Sequence, residues 1–340
     1  MTSQQRRYYS PFGPSVPPLP VRPEYYDRAL ELVNYFRKEG NAPFVEMGRI
    51  PAAQRHADKC LAIGMVSQWD PEGLKPYMRY SLAGGYQAST AFMWGKPEPE
   101  GITDLELMIE DGVTWIFETM GNRRMVLDSL YRKANIGIAW NKHNFMLVVE
   151  LEGDYVEFDS LPAVANHVLA FAGRVKNGVR IQSEADLSAD LWYDPLPKPA
   201  TVGQLLRVNA YDYGAIIASL RRPPPAGQYW LEDWTSLTVE RHTAPEDFPS
   251  NSPVPSNPVE VQALVQEAYH RNERPRRVQV DYPLLTCSRW DVSAEGFAVA
   301  ADIGSVRRES GPGVYRLNLW APMEGRDGSV NVAGYAMFVS

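Results

Sequence analysis

The chain has 340 residues, 44% of them hydrophobic and 22% charged, with a formal net charge of −7. That length can hold two domains, each with its own core. Acidic and basic residues are interspersed, which excludes the clustered basic face of a nucleic-acid binder, and no apolar run is long enough to span a membrane.

Cys60 and Cys287 are the only cysteines. A disulfide framework and a cysteine zinc site are therefore excluded. Cys60 falls in an apolar helical pattern and reads as a small buried residue. The N-terminus as given carries no apolar signal core.

In chain order, residues 1–23 are polar and rich in proline (Pro11, Pro14, Pro17, Pro18, Pro20, Pro23), the composition of an extended arm. Residues 24–39 place Tyr26, Leu30, Val33 and Phe36 at helical spacing, and Gly40 ends the pattern. Residues 50–63 predict a second helix with Ala53, Ala57, Cys60 and Leu61 as its buried stripe. His56 flanks that stripe and reads as a packed, structural histidine. A loop over 67–73 and a short helix over 75–82 follow. Thr103 is expected to cap a helix over 104–120, with Glu106 completing a capping box. After a loop at 121–124 come two apolar runs, 135–140 and 145–150. Polar Asn141-Lys-His-Asn144 separates them, which predicts a hairpin. Residues 24–160 are expected to form one compact unit.

Beyond residue 161 the apolar runs shorten and turns multiply. Strands are predicted at 169–175, 178–181, 186–192, 204–208 and 237–241, making 161–243 a β-rich segment. Pro195, Pro197 and Pro199 form a stiff connector, and 244–258 reads as an exposed Pro/Ser linker. Residues 259–271 predict a helix. Strands follow at 277–280, 290–292, 297–303, 314–320 and 329–339. The segment 259–340 is expected to pack with 161–243 as a β-sandwich. The fold class is therefore α+β. Tyr229-Trp230 with Trp234 reads as a packing cluster, and His143 as a solvated turn residue. No nucleophile elbow, phosphate loop, His-Glu-x-x-His or dinucleotide fingerprint occurs.

Taken together, residues 24–158 resemble the CAP superfamily of cysteine-rich secretory, antigen 5 and pathogenesis-related proteins, also called SCP-like. The matching pieces are the opening helix Ala29-Leu-Glu-Leu-Val-Asn-Tyr-Phe-Arg37, then Arg55-His-Ala-Asp58, Ser67-Gln-Trp-Asp70 and Trp115-Ile-Phe-Glu118. Gly121-Asn-Arg123 with Leu127-Asp128 and Asn135-Ile-Gly-Ile-Ala139 complete them. The resemblance implies a three-layer α-β-α sandwich, and a cleft in which two histidines and two glutamates can hold a divalent metal. Here Gln68 and Asn122 stand where that family's histidines would. Glu118 matches one glutamate, and Ser89 or Thr90 stands near the other. Amides are poor zinc ligands and cannot act as general acid or base, so no metal, cofactor or catalytic residue is expected. Leu191-Trp-Tyr-Asp-Pro195, Gly203-Gln-Leu205, Gly311-Pro-Gly-Val-Tyr315, Leu319-Trp320 and Tyr335-Ala-Met-Phe338 resemble the β-rich extensions of bacterial surface CAP proteins.

These readings converge on a non-catalytic, extracellular or cell-surface binding module for a small ligand, peptide or glycan. Gln68, Ser89, Thr90, Glu118 and Asn122 would line its cleft. The alternatives are a hydrolase using Glu118 with Ser89 or Thr90, and a structural spacer of a larger surface protein.

Overall fold

A computed structural model describes residues 16–272 and 274–340. Pro11 and Pro14 of the proline-rich arm lie outside that range. Near its end the arm is pinned: the Leu19 N–H donates to the Trp140 carbonyl (2.8 Å), and Trp140 Nε1 donates to the Pro20 carbonyl (3.2 Å).

The first part of the chain begins with α1 (Pro23–Glu39), β1 (Glu46–Met47), α2 (Ala52–Ile63), α3 (Pro76–Leu82) and β2 (Ser89–Pro97). It continues with α4 (Leu105–Glu118), α5 (Met120–Val126), β3 (Lys133–Trp140) and β4 (Asn144–Glu152). Proline opens α1, where a missing N–H costs nothing, and Gly64 closes α2 in the left-handed conformation at φ 69°. The four strands form one sheet in the order β1-β3-β4-β2. The expected hairpin is present, with Trp140 opposite Phe145.

Strand alternation sends side chains to two different helical layers. On one face, Phe92, Ile138 and Leu147 pack against Val33 of α1 and against Ile109 and Val113 of α4. On the other face, Ala139, Met146 and Val148 pack against Ala57 and Leu61 of α2. The approach of α2 is set by Gly137: a Cβ there would sit 2.2 Å from the Ala53 carbonyl oxygen. Gly137→Ala is expected to lower stability by about 3 kcal/mol, read as a drop in the urea midpoint. An unchanged midpoint would mean that the helix is free to retreat.

The second part contributes β5 (Val156–Ala165), β6 (Val168–Val175), β7 (Ser188–Pro195), α6 (Val202–Leu205), β8 (Ala215–Arg221), β9 (Trp234–Arg241) and α7 (Pro258–Asn272). After these come β10 (Arg276–Thr286), β11 (Arg289–Val292), β12 (Phe297–Asp302), α8 (Gly304–Ser310), β13 (Gly313–Pro322) and β14 (Ser329–Val339). They form a six-stranded sheet, β14-β13-β7-β8-β10-β9, and a four-stranded sheet, β11-β12-β6-β5. Leu169, Phe171 and Val299 of the smaller sheet share a core with Leu191, Leu317 and Leu319 of the larger. The molecule is thus α+β, with a β-rich sandwich in its second part.

Several sequence expectations are corrected. Residues 121–124 are helical, not a loop. Thr119 breaks α4 with extended backbone, and its carbonyl then accepts from the N–H groups of Asn122 and Arg123 to start α5. Asp104, not Thr103, caps α4, its carboxylate accepting from the Leu107 N–H at 3.0 Å. The strand expected at 204–208 is not formed: Gln204 and Leu205 end α6, a helix opened by a capping box between Thr201 and Gln204, and a turn follows. The strand expected at 178–181 is reduced to a single bridge, Val179 to Met323. The exposed linker at 244–258 is anchored, since Gln204 Nε2 donates to the carbonyls of Pro245 (3.1 Å) and Phe248 (2.7 Å). Tyr229 and Trp234 are exposed rather than packed. His143 is half-buried against the Glu98 carbonyl.

The short helix α3 joins the two parts. Residues Pro76, Tyr77, Met78, Arg79, Tyr80 and Ser81 are all buried. Tyr77 and Met78 pack on Val314 and Ala336, and Ser81 Oγ accepts from the Ala336 N–H (2.9 Å). From the opposite side of the helix, the Tyr80 hydroxyl donates to Glu152 of β4.

Candidate functional site

The five expected cleft residues do not meet. Ser89 stands opposite Glu152 in the β2–β4 ladder, and Thr90 stands opposite Leu151. Adjacent strand residues face opposite ways, so Thr90 lies on the α1/α4 side with Leu151. Ser89 lies on the α2/α3 side with Glu152. The Thr90 hydroxyl accepts from Tyr131 (2.8 Å). Glu118 is exposed at the end of α4, and Asn122 is half-buried on α5. Gln68 follows α2 in the opposite layer. Its backbone carbonyl accepts from Arg79 (2.7 Å), while its side-chain oxygen is buried without a partner. Among the described residues, no hydrogen bond joins any two of these five.

A different set does converge, on the sheet face beneath α2 and α3. His56 is buried. Its Nε2 lies 2.7 Å from the Ser67 carbonyl oxygen, which can only accept, so Nε2 carries the proton. Nδ1 is then a bare acceptor, buried and without a partner. Burial holds His56 well below its usual pKa, with the Arg79 and Lys59 charges adding to the effect. The ring is neutral at physiological pH.

Glu150 and Glu152 sit two residues apart on β4 and so share this face. Burial pushes Glu150 up to about 8, opposed by the Arg79 charge and assisted by Glu152. One of its carboxyl oxygens has no partner. Burial also raises Glu152, against hydrogen bonds from Tyr80 and from Asn135 (2.8 Å). At neutral pH Glu150 is therefore a protonated acid.

At the mouth, Lys59 bridges Asp70 (2.8 Å) and Glu72 (2.6 Å). Asp70 also accepts from the Leu74 N–H (2.8 Å), closing the turn that carries the loop into α3. Between α2 and α3 opens a cavity of about 320 Å³, lined by Ala52, Arg55, His56, Asp58, Lys59, Leu74, Arg79 and Leu82. Among the described residues, no group of three or more His, Cys, Asp or Glu side chains is placed to hold a metal.

Sequence reading placed His56 correctly as a packed histidine. It missed Arg79, Glu150 and Glu152. The signal for the two acids was present: Glu150-Leu-Glu152 ends an apolar run with two carboxylates at strand spacing, which puts both on one covered face.

No protein-family model and no curated protein matches this chain. Among solved structures that are similar in part is an extracellular protein containing a SCP domain from Bacillus anthracis str. Ames. It is 14% identical, with a TM-score of 0.30, and the match covers 40% of this chain and 45% of that one. This chain therefore spans less than half the length of that protein. No helix among the described residues is long and apolar enough to cross a membrane.

Proposed function

We propose that this chain is a non-catalytic, CAP-like binding module acting outside the cell or at its surface, and that the cavity between α2 and α3 is its ligand site. One observation carries the reading. A cavity of ligand size opens between α2 and α3, and its wall includes His56, whose buried Nδ1 has no protein partner, and the Arg79 guanidinium. Such atoms are costly to bury unpaired, and a ligand held nearby can offset that cost. The CAP-like assignment rests on the motifs of residues 24–158 and on the layering of helices about the first sheet. Extracellular placement rests on the same motifs.

Catalysis has less support. His56 is neutral, and Glu118 makes no hydrogen bond to Ser89 or Thr90. Zinc is expected to give no micromolar binding by calorimetry, because Gln68 and Asn122 offer amides in place of imidazoles. Micromolar binding lost on Gln68→Ala or Asn122→Ala would overturn that expectation. A fragment screen read on the methyl resonances of Leu74 and Leu82 tests the site itself. Saturable shifts there are expected. Ligands that shift only residues of the sandwich would place the site elsewhere.

A further inference from the structure

We infer that the occupant of the α2/α3 cavity is an organic carboxylate, seated on the guanidinium of Arg79. The inference rests on the proposed binding role of that cavity and names its ligand class.

Arg79 is a buried cation in a cavity wall. Its Nη1 donates to the carbonyls of Gln68 (2.7 Å) and Leu74 (2.9 Å). Among the described residues, Nε and Nη2 donate to nothing, and no carboxylate forms an ion pair with the group. Arg316, also buried, differs: its Nε and Nη1 are sealed off beneath the Tyr213 ring, 3.9 Å from its centre. The unused nitrogens of Arg79 are not among the sealed atoms. They form one edge of the guanidinium, the fork that takes both oxygens of a carboxylate side-on.

Asp70 and Glu150 lie close enough to act on the Arg79 charge, but neither occupies its Nε–Nη2 edge. Asp70 is held by Lys59 and the Leu74 N–H. Glu150 lies on the sheet below and makes no ion pair with Arg79. The unused edge therefore faces the cavity with its donors free, and an anion arriving with the ligand can take them.

The remaining walls restrict the class. Ala52, Leu74 and Leu82 offer apolar surface, Arg55 adds positive charge, Lys59 is paired with Asp70 and Glu72, and Asp58 is the acid in the wall. One anionic head on one fork, with an apolar body, fits these walls. Inorganic phosphate can also take such a fork, but it has no apolar body to place against Ala52, Leu74 and Leu82.

The test is calorimetric titration of the full chain with sodium hexanoate, hexan-1-ol, hexylammonium and inorganic phosphate, with the Leu74 and Leu82 methyls followed by NMR. Hexanoate is expected to bind at least about tenfold tighter than the alcohol, and hexylammonium not at all. Arg79→Lys keeps the charge but removes the fork, and is expected to weaken hexanoate about tenfold. That variant also loses two carbonyl contacts, so Leu82→Glu, at an exposed rim position, provides a second test that leaves them intact. It should weaken hexanoate by a clearly larger factor than the alcohol, because only hexanoate meets the added negative charge; equal weakening of both would overturn the carboxylate. Alcohol binding as tightly as hexanoate would overturn the carboxylate while leaving a small-molecule site in place. Phosphate binding more tightly would overturn the ligand class. No shift of either methyl by any of the four probes would overturn both the ligand and the site.

Discussion

Glu150→Gln is expected to stabilise the protein at pH 9 by roughly 3–5 kcal/mol and to leave it nearly unchanged at pH 4. The carboxyl is buried in the sheet face beneath α2 and α3, and burial pushes it up to about 8 from an ordinary 4.5. Below pH 4.5 it is protonated in both the folded and the unfolded chain, and its environment makes no difference to stability. Between 4.5 and about 8 the unfolded chain releases the proton while the folded chain holds it. The folded state then binds more protons, so stability falls as pH rises through this window. Above 8 both states are ionised and the full cost is present. Glutamine has the same shape and no charge, so it removes that cost without opening a cavity. Urea unfolding at the two pH values measures the difference. A variant less stable than wild type at pH 9 would mean that Glu150 is ionised and supported by Arg79. The same result would weaken the case for an arriving anion, because Arg79 would already have its counter-charge.

The elements visible in the sequence were those facing a single core. Helices α1, α2 and α4 each bury one stripe, and Val33, Ala57 and Ile109 mark those stripes at helical spacing. The β3–β4 hairpin was legible because four polar residues separate two apolar runs. Helix α3 was expected as a helix, but its importance was not visible. It is covered on opposite sides by different layers, so Pro76-Tyr-Met-Arg-Tyr-Ser81 is buried all round and shows no stripe. Strand β5 was obscured by Pro162 and by two register shifts in its pairing with β6. The candidate site was hidden for a related reason. Arg79, Glu150 and Glu152 come from two elements far apart in sequence, and the residues suggested by family resemblance fall on both sides of the first sheet. Charge in an apolar run was the available clue, and Glu150-Leu-Glu152 carried it.

The same helix is the basis of the second large effect. Lys75→Met is expected to destabilise the protein by about 3–5 kcal/mol and to split one unfolding transition into two. Lys75 immediately precedes α3, and its side chain reaches the six-stranded sheet. Its ammonium donates to Asp194 Oδ1 (2.7 Å), Asp212 Oδ1 (3.0 Å) and the Asp212 carbonyl (3.0 Å), which uses all three protons. The Tyr77 hydroxyl donates to the other oxygen of Asp194. Burial raises Asp194 despite these partners, while Asp212 is held low by Lys75 and by backbone N–H groups against its own burial. Removing the lysine therefore strands two covered carboxylates at the joint between the two parts of the chain. The packing of Tyr77 and Met78 on Val314 and Ala336, of Met65 and Trp69 on Leu205 and Leu206, and the Gln87–Ala333 bridge are then left to hold the joint. Combining Lys75→Met with Asp194→Asn and Asp212→Asn should recover much of the loss, because it removes the stranded charges together with the cation. Tryptophan fluorescence in urea reports on both parts, since Trp94 and Trp140 pack in the first and Trp290 in the second. A single transition, shifted by less than about 1 kcal/mol, would place this cluster with ordinary surface ion pairs and would leave the coupling of the two parts to their other contacts.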